Sequence, residues 1–222
     1  MKNLTNTDII ALDLEEKILN LHYKPGQIIT ETEISKKYEI SRTPCRDIFQ
    51  KLKSMGLIEG IPFKSNTISL LNFDIISQSI FMRCAIEKEV LKSFLNMVDE
   101  KNLLELEYNL KLQELLLETD FKVEEFYKLD CDFHTIWYRA TKNMFVLEQI
   151  NKAQYQYKRF RMLDIVEIKD FKSIVDDHKL LVKYIKEKNY ELLEEEILNH
   201  LNSGIKRLEK KMETSLAQYF KK

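Results

Sequence analysis

The uneven distribution of proline and glycine is the feature that most constrains the fold. All three prolines and three of the four glycines lie among the first 62 residues: Pro25, Gly26, Pro44, Gly56, Gly60 and Pro62. Both residue types end or bend helices, and after them only Gly204 interrupts a long series of helical patterns. We therefore predict two domains, a compact mixed domain over residues 1–71 and an all-helical domain over residues 72–222.

The first domain has the element order of a winged helix-turn-helix. Apolar periodicity predicts three helices, at residues 8–22, 31–38 and 41–55. Ser41 is a good N-cap for the third helix, and Pro44 lies in its first turn, where a missing N–H is tolerated. Two short strands are predicted next, at residues 57–59 and 67–70. The predicted fold class is mainly α, with three helices and a β-hairpin wing preceding an all-α six-helix bundle.

The third helix carries two arginines that suit DNA recognition. Arg42 and Arg46 are four residues apart near its start, so both project from one exposed face. Such a helix can lie in the major groove, where the guanidinium fork matches guanine O6 and N7 or a phosphate. Residues 42–64 hold five basic and two acidic side chains, whereas the whole chain has a formal net charge of −1. The basic patch is therefore local. The alternative interpretation is a solvated helix with incidental arginines.

A family signature occurs over residues 41–58, which read SRTPCRDIFQKLKSMGLI. This run resembles the Ser-Arg-Thr-Pro-Val-Arg-Glu-Ala-Leu signature of GntR-family transcription regulators, which is followed by a leucine-rich half-turn and Gly-Leu. Pro25-Gly26 and Ile34 also stand in the expected places upstream. The resemblance implies that the two arginines bind double-stranded DNA and that the wing tip reaches the minor groove. The DNA contacts predicted in this way are Ser41, Arg42, Thr43, Arg46, Lys64 and Asn66.

Three positions depart from the family pattern. Thr32 stands where some members carry a further DNA-contacting arginine, and Glu39 replaces the usual glycine of the turn. The glycine of the wing is replaced by Asn66, which tolerates left-handed backbone geometry. The wing can therefore form, but the base preference of other members does not transfer to this chain.

Four polar residues lie on predicted inward faces of the second domain. Apolar periodicity predicts six helices there, at residues 73–95, 100–117, 121–141, 144–164, 168–188 and 190–215. Asp130 and His134 are one turn apart on the third of these helices, and His178 and His200 lie in the middle of the apolar stripes of the last two. A buried ionised carboxylate is costly unless it is paired or coordinates a metal.

Each of these histidines alone is best explained as a core residue with a hydrogen bond. Three histidines together with a carboxylate instead indicate a metal site formed by Asp130, His134, His178 and His200. Such ligands suit zinc, which we favour, or nickel, manganese or iron. The neighbouring Cys131 lies about 100° off the Asp130–His134 face and is not expected to be a ligand.

The first helix of the second domain places an arginine and a glutamate one turn apart on its inward stripe. Arg83 and Glu87 could form an internal ion pair. Alternatively the arginine is aimed at a carboxylate ligand and is oriented by Glu87, and on this hypothesis both residues bind an effector. Arg159 and Arg161, on the fourth helix, could play a similar part or could be solvated.

The second domain resembles the FCD effector domain of the FadR subfamily within the GntR family. The motif residues that match it are Arg83, Glu87, Asp130, Phe133, His134, Asn143, His178, His200 and Leu201. This resemblance implies a metal at the four predicted ligands and a small organic acid on the metal's open positions. It also implies a homodimer on a palindromic operator. The count of six helices resembles the shorter, VanR-like group.

The predicted function is a ligand-responsive transcription regulator, a repressor, rather than an enzyme. One alternative is a metalloenzyme in which the bound metal activates water, but Glu87 is the only interior candidate for an acid or base. The other alternative is a regulator with a purely structural metal. We expect a cytoplasmic protein without membrane contact, because no apolar run approaches the roughly 18 residues of a membrane span and the N-terminus lacks a signal peptide. The odd, unpaired set of three cysteines suits a reducing compartment.

Overall fold

This computed structural model describes residues 5–60 and 65–221 of the chain. The chain forms two compact units. The first unit comprises Met1–Ile76, Tyr155–Met162 and Lys211–Lys222, and the second comprises Ser77–Gln154 and Leu163–Lys210. The second half of the sequence therefore contributes two segments to the first unit. The predicted boundary between residues 71 and 72 stays a prediction.

The first unit begins with the predicted helices and a small antiparallel sheet. Its elements are α1 (Asn6–Leu19), β1 (Ile28–Ile29), α2 (Glu31–Lys37), α3 (Arg42–Ser54), β2 (Ile58–Gly60) and β3 (Asn66–Ile68). The strands lie in the order β1-β3-β2, and Thr67 pairs with both Ile28 and Glu59. The prediction missed β1, because two residues are too short to show an alternating pattern.

Local capping explains where these helices start. Thr5 and Thr30 each form a capping box with the acidic residue three positions later, at the starts of α1 and α2. Ser41 has the extended backbone of an N-cap, as predicted, but its side chain makes no capping hydrogen bond. Glu39, in the turn before α3, has a φ of 53°, which is the left-handed geometry for which glycine is usual.

The remaining elements are long helices, α4 (Phe73–Leu95), α5 (Glu100–Leu117), α6 (Val123–Ala140), α7 (Met144–Ala153), α8 (Tyr155–Ile168), α9 (Phe171–Lys186) and α10 (Tyr190–Met212). The prediction of six helices was wrong, because the expected helix 144–164 is two helices. Gln154 leaves the helical conformation, with φ −116° and ψ 37°, and its buried side chain donates to the Ser79 carbonyl at 3.1 Å. The helix count on which the likeness to the VanR-like group rested is therefore seven between residues 73 and 212.

The core of the second unit is built from the inward stripes of these helices. Helix α5 contacts both α6 and α9. The largest core side chains are aromatic, and Phe133 meets Trp137 edge-on with ring centroids 5.2 Å apart. Leu181, Ile185 and Leu193 complete this cluster from α9 and α10. Among the described residues no helix is long and apolar enough to span a membrane.

The end of the chain returns to the first unit. After a short 3₁₀ turn (Ala217–Tyr219), Phe220 forms a parallel β-bridge with Leu71. The Leu71 amide donates to the Tyr219 carbonyl, and the Lys221 amide donates to the Leu71 carbonyl, both at 2.8 Å. The segment that follows α10 is therefore hydrogen-bonded to the chain just beyond the wing.

Candidate functional site

Helix α3 presents a polar face to solvent and an apolar face to the core of the first unit. Its buried residues are Cys45, Ile48, Phe49 and Leu52. The predicted DNA-contacting residues on the opposite face are all exposed: Ser41, Arg42, Thr43 and Arg46. The Nε atom of Arg46 lies 3.6 Å from Glu31 Oε2 of helix α2. An exposed pair of this kind contributes little stability, so the guanidinium can be redirected to another anion at small cost.

The two predicted contacts in the wing have different outcomes. Lys64 lies outside the described residues. Asn66 begins strand β3, where it pairs with Gly60 and Ile29. It is not among the residues with positive φ, so the left-handed geometry considered for it is not observed. Its extended conformation follows from pairing on both sides of the strand.

The four predicted metal ligands come together in the second unit. Asp130 and His134 project from α6, His178 from α9 and His200 from α10. All four residues are at most 4% exposed, and each offers one ligand atom within 4.8 Å of the others. Helical periodicity explains this convergence, because each residue occupies the inward stripe of its helix. The exposed Cys131 lies off this face, as expected.

The imidazole rings are oriented so that their Nε2 atoms face the centre of the cluster. The Nδ1 atom of His134 hydrogen-bonds to Glu87 Oε1, that of His178 to Gln113 Oε1 at 2.8 Å, and that of His200 to Asp177 Oδ2 at 3.1 Å. Each Nδ1–H donates to an oxygen, so Nε2 is left to carry the lone pair. Outer partners of this kind are usual for histidines that bind metals.

Distances within the cluster indicate what it can hold. The Nε2 atoms of His134 and His200 are 3.2 Å apart, and His178 Nε2 lies 3.6 Å from Asp130 Oδ1. Two nitrogen lone pairs at this separation repel each other unless a proton or a cation lies between them. Three imidazole nitrogens and one carboxylate form a ligand set that zinc and similar transition metals accept. The residues present therefore fit a metal ion.

Glu87 is part of this arrangement, although it was predicted to bind an effector. Its side chain is fully buried and accepts from Arg83 Nη2 at 2.9 Å as well as from His134. Burial raises the pKa of the Glu87 carboxyl, but the Arg83 guanidinium and the hydrogen bonds from Arg83 and His134 outweigh burial and hold the pKa well below its usual range. Glu87 is therefore an ionised partner of His134, and the internal ion pair considered for Arg83 is present.

Sequence reasoning missed three outer residues and misplaced one arginine. Asn109, Gln113 and Asp177 were not singled out, although the first two are polar positions four apart on the buried stripe of α5. The criterion that found Asp130 and His134 would have found them as well.

Arg159, considered for the effector site or for solvent, is fully buried in the first unit and donates to the Ser69 carbonyl at 2.7 Å. Neither alternative for Arg159 is correct.

An exposed recognition helix with a wing, followed by a helical unit with a buried polar cluster, defines a DNA-binding regulator with a separate helical domain. The pattern described as "Bacterial regulatory proteins, gntR family" matches residues 6–65, and the FCD domain pattern matches residues 78–203. The chain belongs to the GntR family of transcription regulators and carries an FCD domain. The predicted family is confirmed, and so is the mainly α fold class, a winged helix-turn-helix followed by a helical domain; the helix count of that domain is corrected above.

Similar proteins agree with this assignment. The chain is 23% identical over 188 residues to the HTH-type transcriptional repressor RspR of Escherichia coli, covering 85% of this chain and 82% of that protein. It is 24% identical over 192 residues to the gluconate operon transcriptional repressor of Bacillus licheniformis, covering 83% and 77%. The structure of E. coli McbR/YncC superposes with a TM-score of 0.72 at 17% identity, covering 94% and 99%. This last likeness concerns the fold alone.

Proposed function

We propose that this regulator binds a small carboxylate effector at a divalent metal held by Asp130, His134, His178 and His200, and that the effector changes its affinity for operator DNA. The observation that carries the proposal is the convergence of four buried ligand atoms within 4.8 Å. Zinc is the metal we favour, with nickel, manganese or iron as alternatives. When bound, such a metal supplies open coordination positions for the oxygens of an organic acid.

The charged surroundings of the cluster support an anionic effector. Arg83 has a side chain that is 13% exposed and is held by Glu87, which in turn holds His134. A carboxylate that approaches this region would meet a positioned guanidinium, and guanidinium–carboxylate pairs are strong and directional. One relative is named as the repressor of a gluconate operon, and gluconate is a small organic acid.

The DNA side of the proposal rests on helix α3. Arg42 and Arg46 are exposed on one face and suit contacts with guanine edges or phosphates in the major groove. We propose that two copies of the chain bind a palindromic operator, since a two-fold symmetric dimer matches two inverted half-sites. A cytoplasmic location follows from this role. For the effector to change DNA affinity, the protein must have a conformation that binds DNA well and one that binds it poorly. The effector can shift DNA affinity only as far as its own affinities for these two conformations differ.

The structure favours this proposal over a metalloenzyme. Hydrolysis at a metal-bound water is usually accelerated by a general base beside that water. Glu87, the interior residue considered for that part, is fully buried and is engaged by both Arg83 and His134. Asp177 is engaged by His200 in the same way. These carboxylates therefore orient ligands, which is the task of outer partners at a metal site.

Operator binding in the presence of carboxylates tests the proposed function. An operator is first selected from random DNA, and its affinity for zinc-loaded protein is then measured by fluorescence anisotropy with and without a panel of small organic acids. We expect at least one acid to change the affinity of the wild-type protein and not that of His134→Ala. His22→Ala is the matched control, since His22 is the histidine outside the cluster.

Three outcomes would contradict parts of this proposal. Equal operator affinity for wild type and an Arg42→Ala/Arg46→Ala variant would rule out helix α3 as the DNA-binding surface. A protein stabilised by metal but indifferent to every acid would indicate the purely structural metal. Turnover of a carboxylic or phosphate ester that disappears with a chelator would indicate the enzyme.

A further inference from the structure

A directed series of hydrogen bonds runs through the second unit from a backbone carbonyl to an imidazole of the cluster. Asn109 Nδ2 donates to the Leu129 carbonyl at 3.1 Å. Gln113 Nε2 donates to Asn109 Oδ1 at 2.7 Å, and His178 Nδ1 lies 2.8 Å from Gln113 Oε1. We call this series, from Leu129 through Asn109 and Gln113 to His178, the amide relay.

The direction of the amide relay is set at its backbone end. A carbonyl can only accept, so Asn109 must present its NH₂ group to Leu129 and its oxygen to Gln113. Gln113 must then donate its NH₂ to Asn109, which turns its oxygen toward His178. Reversing either amide would place two acceptors or two donors against each other. The Nδ1 atom of His178 therefore carries the proton, and Nε2 carries the lone pair.

Burial makes this direction costly to change. Gln113 and His178 have no exposed surface, and Asn109 is 7% exposed. A buried polar group that loses its partner costs much more than the net value of one hydrogen bond. The ring plane of His178 is fixed as well, because it stacks on Phe133 with centroids 4.2 Å apart. Both the tautomer and the orientation of His178 are therefore set by its neighbours.

The amide relay differs from the outer partners of the other two histidines. His134 and His200 donate to the carboxylates of Glu87 and Asp177. A carboxylate can only accept, so it fixes the tautomer of its histidine without help from a further residue. Gln113 is an amide and could present either end to His178, so it needs Asn109 to decide which. This explains why two buried amides stand four residues apart on α5, a helix that contributes no ligand to the cluster.

We infer that Asn109 and Gln113 are positioning residues of the metal site, which hold His178 with Nε2 directed at Asp130, His134 and His200. The inference rests on the proposed function, because it concerns a metal bound by this cluster. Its specific consequence is that Asn109, which is hydrogen-bonded to Gln113 and not to a ligand, contributes to metal affinity through two intervening hydrogen bonds.

Metal affinity measured in matched variants tests the inference. Zinc affinity is measured by competition with a chromogenic chelator, and cobalt(II) absorption reports the ligand geometry. We expect Gln113→Met to weaken zinc binding by about 10- to 100-fold, which is typical for loss of an outer partner. Asn109→Leu should weaken it in the same direction by a smaller factor. Gln113→Glu keeps an acceptor oxygen facing His178 but loses the donor to Asn109, so it should recover part of the affinity lost in Gln113→Met.

Gln154→Met is the matched control. Gln154 is also a buried amide of the second unit that donates to a backbone carbonyl, that of Ser79, but it is not hydrogen-bonded to a histidine of the cluster. Gln154→Met should lower the midpoint of urea unfolding as Gln113→Met does. It should leave zinc affinity and the cobalt(II) spectrum unchanged. Equal losses of zinc affinity in the two Met variants, or no loss in Asn109→Leu, would overturn the inference. Wild-type protein that binds neither zinc nor cobalt would instead overturn the proposed function.

Discussion

The buried Arg159 side chain hydrogen-bonds to both the backbone carbonyl and the hydroxyl of Ser69, just after the wing. Its Nη1 atom donates to the Ser69 carbonyl at 2.7 Å, and its Nη2 atom lies 3.0 Å from the Ser69 hydroxyl. Burial lowers the pKa of the guanidinium to about 10, against an opposing effect of Glu59, so the group stays charged at neutral pH. Tyr155–Met162 belong to the first unit, whereas α8 continues as part of the second from Leu163 onward.

The first prediction concerns this arginine. Arg159→Met should lower the free energy of unfolding of the first unit by about 3 kcal/mol, because it leaves a buried carbonyl without its donor. Arg159→Lys should cost less, since an ammonium can replace one of the two hydrogen bonds but not the planar fork. Hydrogen exchange of the β3 amides measures the effect. Arg161→Met, two residues further along α8, is the control, and an equal effect there would rule out a specific role for Arg159.

The second prediction concerns the end of the chain. Phe220 is 8% exposed and bridges to Leu71, so Phe220→Ala should lower the stability of the first unit by about 3 kcal/mol. Phe81→Ala, at a phenylalanine that is 76% exposed, should cost less than about 0.5 kcal/mol. Exchange rates of the Leu71 and Lys221 amides report the loss locally. If those amides stay protected in Phe220→Ala, the bridge does not depend on this side chain.

The sequence predicts the buried Asp/His cluster better than it predicts the connections around it. Asp130, His134, His178 and His200 lie on long amphipathic helices, where the period of 3.6 residues identifies the inward face without knowledge of packing. The break at Gln154 carries no such signal, because neither proline nor glycine marks it and the amide finds its partner 75 positions away in sequence. The same holds for Arg159, whose partner Ser69 is identified only by tertiary structure.

The third prediction concerns pH and the contact between Asp13 of α1 and Tyr38, the residue that follows α2. Tyr38 donates to the Asp13 carboxylate, and Lys17 Nζ lies 2.6 Å from it. Burial raises the pKa of Asp13, but the bonds from Lys17 and Tyr38 outweigh burial and lower it below 3.8. Burial and Asp13 raise the pKa of Tyr38 to about 12.

These shifts fix the sign of the pH dependence. The Asp13 contribution is complete above the pKa of the unfolded state and is lost as the pH falls through the lower folded value. The Tyr38 contribution is complete below the unfolded value of 10 and is lost as the pH rises toward 12. Asp13→Asn should therefore cost about 0.5–1 kcal/mol at pH 7, a figure reduced for partial exposure, and progressively less in acid. Urea unfolding in a double-mutant cycle with Tyr38→Phe measures the coupling, and additive effects would contradict it.

The fourth prediction separates the two arginines of helix α3. Arg42→Ala and Arg46→Ala should each weaken operator binding by about 1–3 kcal/mol if the side chain reads a base, with relaxed preference at one position of each half-site. A phosphate contact would instead lower affinity equally for all sequences and reduce the salt slope by about one. Anisotropy titrations at several salt concentrations distinguish these cases. Arg139→Ala, an exposed arginine of the second unit, should leave operator affinity unchanged.

The last prediction uses the single tryptophan to report zinc binding by the buried Asp/His cluster. Trp137 is fully buried in the second unit, and its ring centroid lies 5.0 Å from that of His134. Zinc that binds the folded cluster should stabilise the second unit by about 2.7 kcal/mol at a free concentration one hundred times the dissociation constant. The thermal transition followed by Trp137 fluorescence should therefore rise with zinc and fall again with a chelator. His22→Ala should respond as wild type does, whereas His178→Ala should not. A transition that zinc leaves unchanged in wild type would mean that the cluster is a hydrogen-bonded polar core, as each histidine considered alone had suggested.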